Sequence, residues 1–300
     1  MTTLLARAGP ATYPRAQPHP VRPSDRPPNK LAMKITGRPY LSHSQLSLMR
    51  SCPRKFSYTY VEKAPPDFIP VSLIFGGAIH SSLELHYRAK LEGLAVTHAA
   101  LLSAYHDAWR RQQAQAGSTV PVRFNKGDDI DTLHALADRM LTAFLDSSLA
   151  NPKGTILGIE EQLTVTLGDH LPDLLAKVDL VTHTDGALHV VDFKTSKSRW
   201  TDQKALESGE QLLLYGVTVG RLSKDLNIPV KLHFAIITKA KTPVVQLLPV
   251  PTDAARLAAV KESVGQVWEA IQTGNFYPNP SPMNCTTCQF RSLCPIFGTR

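Results

Sequence analysis

Two runs of alternating sequence, 174–183 (LLAKVDLVTH) and 187–194 (ALHVVDFK), flank Thr184-Asp185-Gly186, and they constrain this chain more than any other feature. Asp-Gly between alternating apolar runs is a strong hairpin signal. Residues two apart in a strand share a face. Val190, Asp192 and Lys194 therefore fall on one face, with Val191 and Phe193 on the other. On the preceding strand the alternation puts Lys177 and Asp179 together, opposite Val178 and Leu180. A tight hairpin sets the strands side by side, so Asp179 and Asp192 can converge. Two carboxylates with a neighbouring ammonium suit phosphodiester hydrolysis. Their hard oxygens fit Mg²⁺ or Mn²⁺, and the lysine can orient a water or offset developing charge. The bland alternative is a solvated hairpin face carrying ordinary charges.

The surroundings of the hairpin fix the fold class. Ser42 with Gln45 three residues later resembles a capping box, opening a helix to about Tyr60 that Pro53 should kink. Gly76-Gly77 is expected to open a helix with Ile79, Leu83, Tyr87 and Leu91 on one stripe. Further helices are expected at about 98–116, 129–149, 203–224 and 253–273, and strands at 156–167, 230–238 and 243–249. Helices, an antiparallel three-stranded meander, a helix, two strands and a helix read as α/β (α+β): one central mixed sheet flanked by helices.

Charge says less than its total suggests. The net +8 arises mostly in residues 1–40, where seven basic residues stand against Asp25 alone, leaving about +2 for the rest. This segment has eight prolines and no period, so a disordered basic tail is expected. A start at Met33 is the alternative. No run of about 18 apolar residues occurs and the N-terminus has no apolar signal core, so a cytoplasmic protein without membrane contact is expected. In that compartment Cys52, Cys285, Cys288 and Cys294 suit metal or cluster ligation better than disulfides. Their spacing leaves zinc and an iron–sulfur cluster both open. No Gly-x-x-x-x-Gly-Lys-Ser/Thr sequence occurs, so the chain carries no P-loop motor.

Four segments carry a resemblance to a known family. Asp192-Phe193-Lys194-Thr195 matches an Asp-x-Lys-Thr motif and Asp179 an upstream acidic motif, although Ala176 and Lys177 stand where a glycine is usual. Gln211-Leu212-Leu213-Leu214-Tyr215 matches Gln-x-x-x-Tyr, and Gly76 to Glu84 matches Gly-x-x-x-His-x-x-Leu-Glu. From Leu41 to Pro295 the chain resembles the PD-(D/E)XK nuclease superfamily, in its RecB-like exonuclease branch, which includes the CRISPR-associated RecB-like nucleases and the AddB nuclease domain. The resemblance implies a restriction-endonuclease-like core and catalytic roles for Asp179, Asp192 and Lys194. It further implies His80 and Glu160 as metal ligands beside the two aspartates, with Glu160 preferred over Glu161. Gln211 and Tyr215, one helical turn apart, would support the lysine or contact DNA. The early Cys52-Pro53 segment and the tail cysteines imply a [4Fe–4S] cluster, with zinc as the alternative, acting as a staple between the ends of the chain.

The expected organisation is a tail (1–40) and one RecB-like domain (41–300), divided into a helical part (41–150), a catalytic sheet (151–275) and a cysteine segment (276–300). The expected activity is metal-dependent exonuclease action on single-stranded DNA or DNA ends, in repair, recombination or phage- or CRISPR-related processing. A separate helicase or recombination protein would be a partner. Arg50, Arg54 and Lys55, interleaved with Tyr58 and Tyr60, are candidate strand contacts. A restriction-like endonuclease and a non-catalytic DNA-binding scaffold are the alternatives.

Overall fold

The computed structural model describes residues 27–115, 120–226 and 228–298. Of the expected tail, residues 1–26 lie outside that description, but 30–36 form a helix. This helix, α1 (Lys30–Thr36), is capped by the Asn29 side chain and ended by Gly37 in the left-handed region, and it buries Ala32 and Thr36. Local capping and two small buried side chains outweigh the proline-rich flank.

Strand β1 (Tyr40–Ser42) leads directly into α2 (His43–Ser51), whose cap is the Ser42 hydroxyl accepting from Gln45 N–H. The helix breaks at Cys52, which is extended, and Pro53 starts a short α3 (Pro53–Phe56) that runs into a π-turn to Val61. After β2 (Ile69–Pro70) comes α4 (Val71–Leu91). The glycine pair 76–77 thus lies inside this helix instead of opening it: Pro70 supplies the boundary. Helix α5 (His98–Gln115), β3 (Val122–Arg123) and α6 (Ile130–Leu145) complete the helical part.

The meander follows as β4 (Thr155–Val165), β5 (Asp173–Thr184) and β6 (Ala187–Ser196). Asp185 and Gly186 both take positive φ, the conformation that a two-residue hairpin turn requires. The single helix expected at 203–224 is two, α7 (Asp202–Glu207) and α8 (Glu210–Leu226). They part at Ser208-Gly209, where a Cβ on Gly209 would meet Val250 at 2.7 Å. The chain then forms β7 (Val230–Thr238), β8 (Val245–Val250), α9 (Ala254–Gln272) and a short α10 (Pro282–Cys285).

These strands make one mixed sheet in the order β1-β5-β6-β7-β8, with β4 also on β5. The hairpin pairs are antiparallel, whereas β6 and β7 are parallel, so α7 and α8 form the crossover between them. Helices cover both faces. On one side α4, α5 and α6 pack Ile79, Leu83 and Tyr87 against Ile159, Leu180, Val191 and Phe193. On the other, Leu212, Leu213 and Tyr215 of α8 pack on Val178, Val181, Val190 and Phe234. A third cluster joins α1, α2 and α9 around Trp268.

The register opens a gap that matters for the site. Strand β4 holds one edge of β5 along nearly its whole length. The other edge is shared: β6 pairs with Leu180–Thr184, and β1 pairs with Asp173–Leu175. Residues 176–179 of β5 have neither neighbour on that edge, and Asp179 sits where β6 peels away. The simple alternation expected for this strand fails at the same point. Val178 belongs to the core under α8 while Leu180 belongs to the core under α4, so they do not share a face.

Candidate active site

Strand β4 is irregular where it crosses that gap. Glu160 has φ +53°, a conformation that costs a non-glycine residue about 1–3 kcal/mol and is worth explaining where a carboxylate is buried. Ile159 pairs with Leu180 and Glu161 with Val178, which sets Glu160 across from Asp179. Its Oε1 lies 3.9 Å from His80 Nδ1, and Asp179 Oδ1 lies 3.6 Å from the same nitrogen. His80 reaches the sheet from α4, edge-on to Phe193. Among the described residues, His80, Glu160 and Asp179 form the one group of three or more potential metal donors whose ligand atoms lie within 4.8 Å of one another.

Asp192 stands beside this group in a second, hydrogen-bonded set. Its Oδ2 faces Lys194 Nζ at 2.7 Å, and its Oδ1 accepts from Gln211 Nε2 at 2.9 Å. Gln211 Oε1 in turn accepts from Lys194 Nζ at 2.8 Å, and Gln211 Nε2 also donates to Tyr215 Oη at 2.7 Å. One helical turn of α8 therefore fixes the lysine and the aspartate together. Asp179 is tied to the same strand: its Oδ2 accepts the Phe193 backbone N–H at 2.7 Å, in the stretch where β6 no longer pairs with β5.

The charges respond to this crowding. Burial pushes the Asp192 carboxyl up to about 6, against the pull of Lys194 and with the push of Asp179. Burial acts on Asp179 in the same sense, but His80 and the Phe193 N–H outweigh it and hold that carboxyl below its ordinary value. Burial would lower His80, yet Asp179 and Glu160 raise it to about 10. Two carboxylates thus concentrate negative potential at the imidazole, a potential that a divalent cation would also answer. The two carboxylates are suitable hard donors for Mg²⁺ or Mn²⁺, and the ring nitrogen adds a softer donor beside them. The residues fit a metal.

The family model of the PD-(D/E)XK nuclease superfamily matches residues 40–295. The chain belongs to this superfamily. A crystal structure of a candidate exonuclease from Eubacterium rectale superposes with a TM-score of 0.51 over 83% of this chain and 85% of that one, at 14% identity, which reflects a shared fold. The solved structure of SSO0001 is 14% identical over 85% of this chain and 96% of that one, with a TM-score of 0.32 that bears no argument. No curated protein matches the chain. Superfamily members are nucleases that generally use divalent metals, which agrees with the mixed sheet and the donor group here.

Other expected contacts fall out differently. Arg50 is bound through Nη1 to both oxygens of Glu210 at 2.5 Å, at the head of α8. Tyr58 is buried, donates its hydroxyl to Leu293 O and carries Arg54 on its ring. Three of the five candidate strand contacts are thereby engaged in holding elements together. No local pattern signals the Arg50–Glu210 pair, whose members are 160 positions apart. Local spacing does signal Arg88 and Glu84, an i,i+4 pair at 2.7 Å on α4.

The cysteine segment lies against α2 and α3. Arg54 N–H donates to Tyr277 O, Asn284 Nδ2 to Ser51 O at 2.7 Å, and Asn279 N–H to Cys52 Sγ at 3.5 Å. All four cysteines line one cavity of about 30 Å³, together with Lys55, Arg291 and Phe297. No three of their sulfurs lie within 4.8 Å of one another. A closed tetrahedral zinc site would gather them to about 3.8 Å, so this arrangement is wider than zinc requires.

Proposed function

We propose that this chain is a Mg²⁺- or Mn²⁺-dependent DNA exonuclease of the RecB-like branch, acting on single-stranded DNA or DNA ends. The observation that carries the reading is the apposition of the His80–Glu160–Asp179 donor group to the Asp192–Lys194–Gln211 set. In this reading His80, Glu160, Asp179 and Asp192 hold the metal, which when bound supplies an activated water and offsets charge on the phosphate. Lys194 presents its ammonium, held by Asp192 and Gln211, to the attacking water or to the developing charge. Tyr215 holds Gln211 and so acts through it. The histidine-bearing helix and the cysteines favour the exonuclease branch over a restriction-like endonuclease. The chain would be one domain from 41 to 300, working in the cytoplasm beside a separate helicase or recombination protein, in repair, recombination or phage- or CRISPR-related processing.

For the cysteines we propose a [4Fe–4S] cluster. Such a cluster spreads its four thiolates over separate irons, whereas zinc draws them onto a single ion, and the sulfurs here share a cavity without crowding. Brown protein with bound iron after anaerobic purification supports this; colourless protein with stoichiometric zinc contradicts it.

The activity is tested with end-labelled linear single- and double-stranded DNA and with circular single strands, in Mg²⁺ or Mn²⁺. Shortening of linear strands with circles left intact is the expected result. Cut circles would mean endonuclease action, and no cleavage of any substrate would leave a DNA-binding scaffold.

A further inference from the structure

The donor group has a neighbour that the reading above leaves idle. Lys177 Nζ lies 2.5 Å from Glu160 Oε2, although the lysine side chain is 59% exposed and the glutamate only 9%. Exposed lysine pairs usually contribute little, but here the partner is a buried carboxylate of the candidate metal site. The two oxygens of Glu160 are divided between two tasks. Oε1 turns toward His80 and Oε2 toward Lys177, so the ammonium can remain in place whatever Oε1 binds.

Position gives this lysine a second capacity. Lys194 is anchored on the opposite flank by Asp192 and Gln211 and is the less exposed of the two. Three buried carboxylates thus carry two ammonium groups, Lys194 at 33% exposure and Lys177 at 59%. An ammonium has three N–H donors, and the bond to Glu160 leaves others for an incoming oxygen. Lys177 stands in the stretch of β5 from 176 to 179 whose edge neither β1 nor β6 covers. Its side chain is more exposed than those of His80 and Lys194 at the same site.

We propose that Lys177 is a phosphate-contacting residue of this site, which binds a backbone phosphate of the DNA strand while holding the Glu160 carboxylate in its buried position. This rests on the nuclease reading for the identity of the ligand. A contact to phosphate is read from its salt dependence: each one contributes about 0.7 to the slope of log K against log salt for a single strand.

The experiment titrates a fluorescent single-stranded oligonucleotide with the full chain in Ca²⁺ at several salt concentrations. Wild type is compared with Lys177→Ala, Lys177→Arg and Lys261→Ala, the last an exposed lysine on α9. The expected result is a slope smaller by about 0.7 in Lys177→Ala, restored in Lys177→Arg and unchanged in Lys261→Ala. Should Lys177→Ala not fold, Lys177→Gln keeps a donor for Glu160 and carries the same comparison. A wild-type slope in the alanine or glutamine variant overturns the proposal, as does an equal fall in Lys261→Ala. Cleavage by the same wild-type preparation separates the two readings. Cleavage with a Lys177-independent slope sinks the phosphate contact alone, and a Lys177-dependent slope without cleavage sinks the nuclease.

Discussion

The acidic hairpin and the cysteine segment are both assembled from distant parts of the chain, but by different means. At the hairpin, backbone register and hydrogen bonds bring the donors together. Glu160 faces Asp179 across a strand pair, Phe193 N–H holds Asp179, and Gln211 holds Asp192 and Lys194. At the cysteines, the surrounding backbone is fastened by Asn279, Asn284 and Tyr58, while the sulfurs stay apart around a cavity. In the first region the potential ligand atoms converge within 4.8 Å of one another. In the second the four sulfurs line one cavity without converging to that degree. A substitution should therefore damage chemistry in the first region and structure in the second.

The largest expected effect is on chemistry. Asp179→Ala should lower cleavage by about 10³-fold or more, since metal-assisted charge stabilisation of several kcal/mol is lost. Its thermal midpoint should move only a few degrees. Cys285→Ser should show the converse, a midpoint lower by more than about 5 °C as a structural metal is lost, measured by thermal unfolding. Equal destabilisation by the two variants would erase the distinction between the regions.

A pH experiment sharpens it. Asp192 has its carboxyl raised to about 6 by burial, so the folded chain binds its proton more tightly than the unfolded one. The stability this group contributes is present below about pH 4 and is lost as pH rises through 6. In EDTA, Asp192→Asn should therefore gain on wild type between pH 4 and pH 7, read from urea midpoints. A constant difference across that range would contradict the burial argument. The smallest effect is expected at the support: Gln211→Ala should reduce kcat about tenfold with little change in KM, because it loosens Lys194 and Asp192 while leaving His80, Glu160 and Asp179 in place.

Much of this was legible in the sequence, for identifiable reasons. Period-two alternation and an Asp-Gly turn located β5 and β6, and Gln211 and Tyr215 at helical spacing were correctly placed on one face. Alternation misled at Val178 and Leu180, because a positive φ at Glu160 and the departure of β6 at Asp179 are not written in hydrophobic pattern. The period-3.6 pattern over 203–224 reads as one helix, whereas the chain divides at Ser208-Gly209, where Gly209 approaches Val250 closely. The Arg50–Glu210 pair and the role of Tyr58 as a packing residue depend on contacts between elements that no local period encodes. Lys177 was legible as a neighbour of Asp179 and a departure from a usual glycine, and its carboxylate partner Glu160 became apparent once the strands were paired.

The central claim is that the hairpin is a metal-dependent nuclease site. Its most direct test is Mn²⁺-dependent shortening of end-labelled single-stranded DNA by wild type, Asp192→Ala and Lys194→Ala, each with and without EDTA. Cleavage is expected from wild type alone and only with metal present. Equal cleavage by all three proteins would contradict the claim.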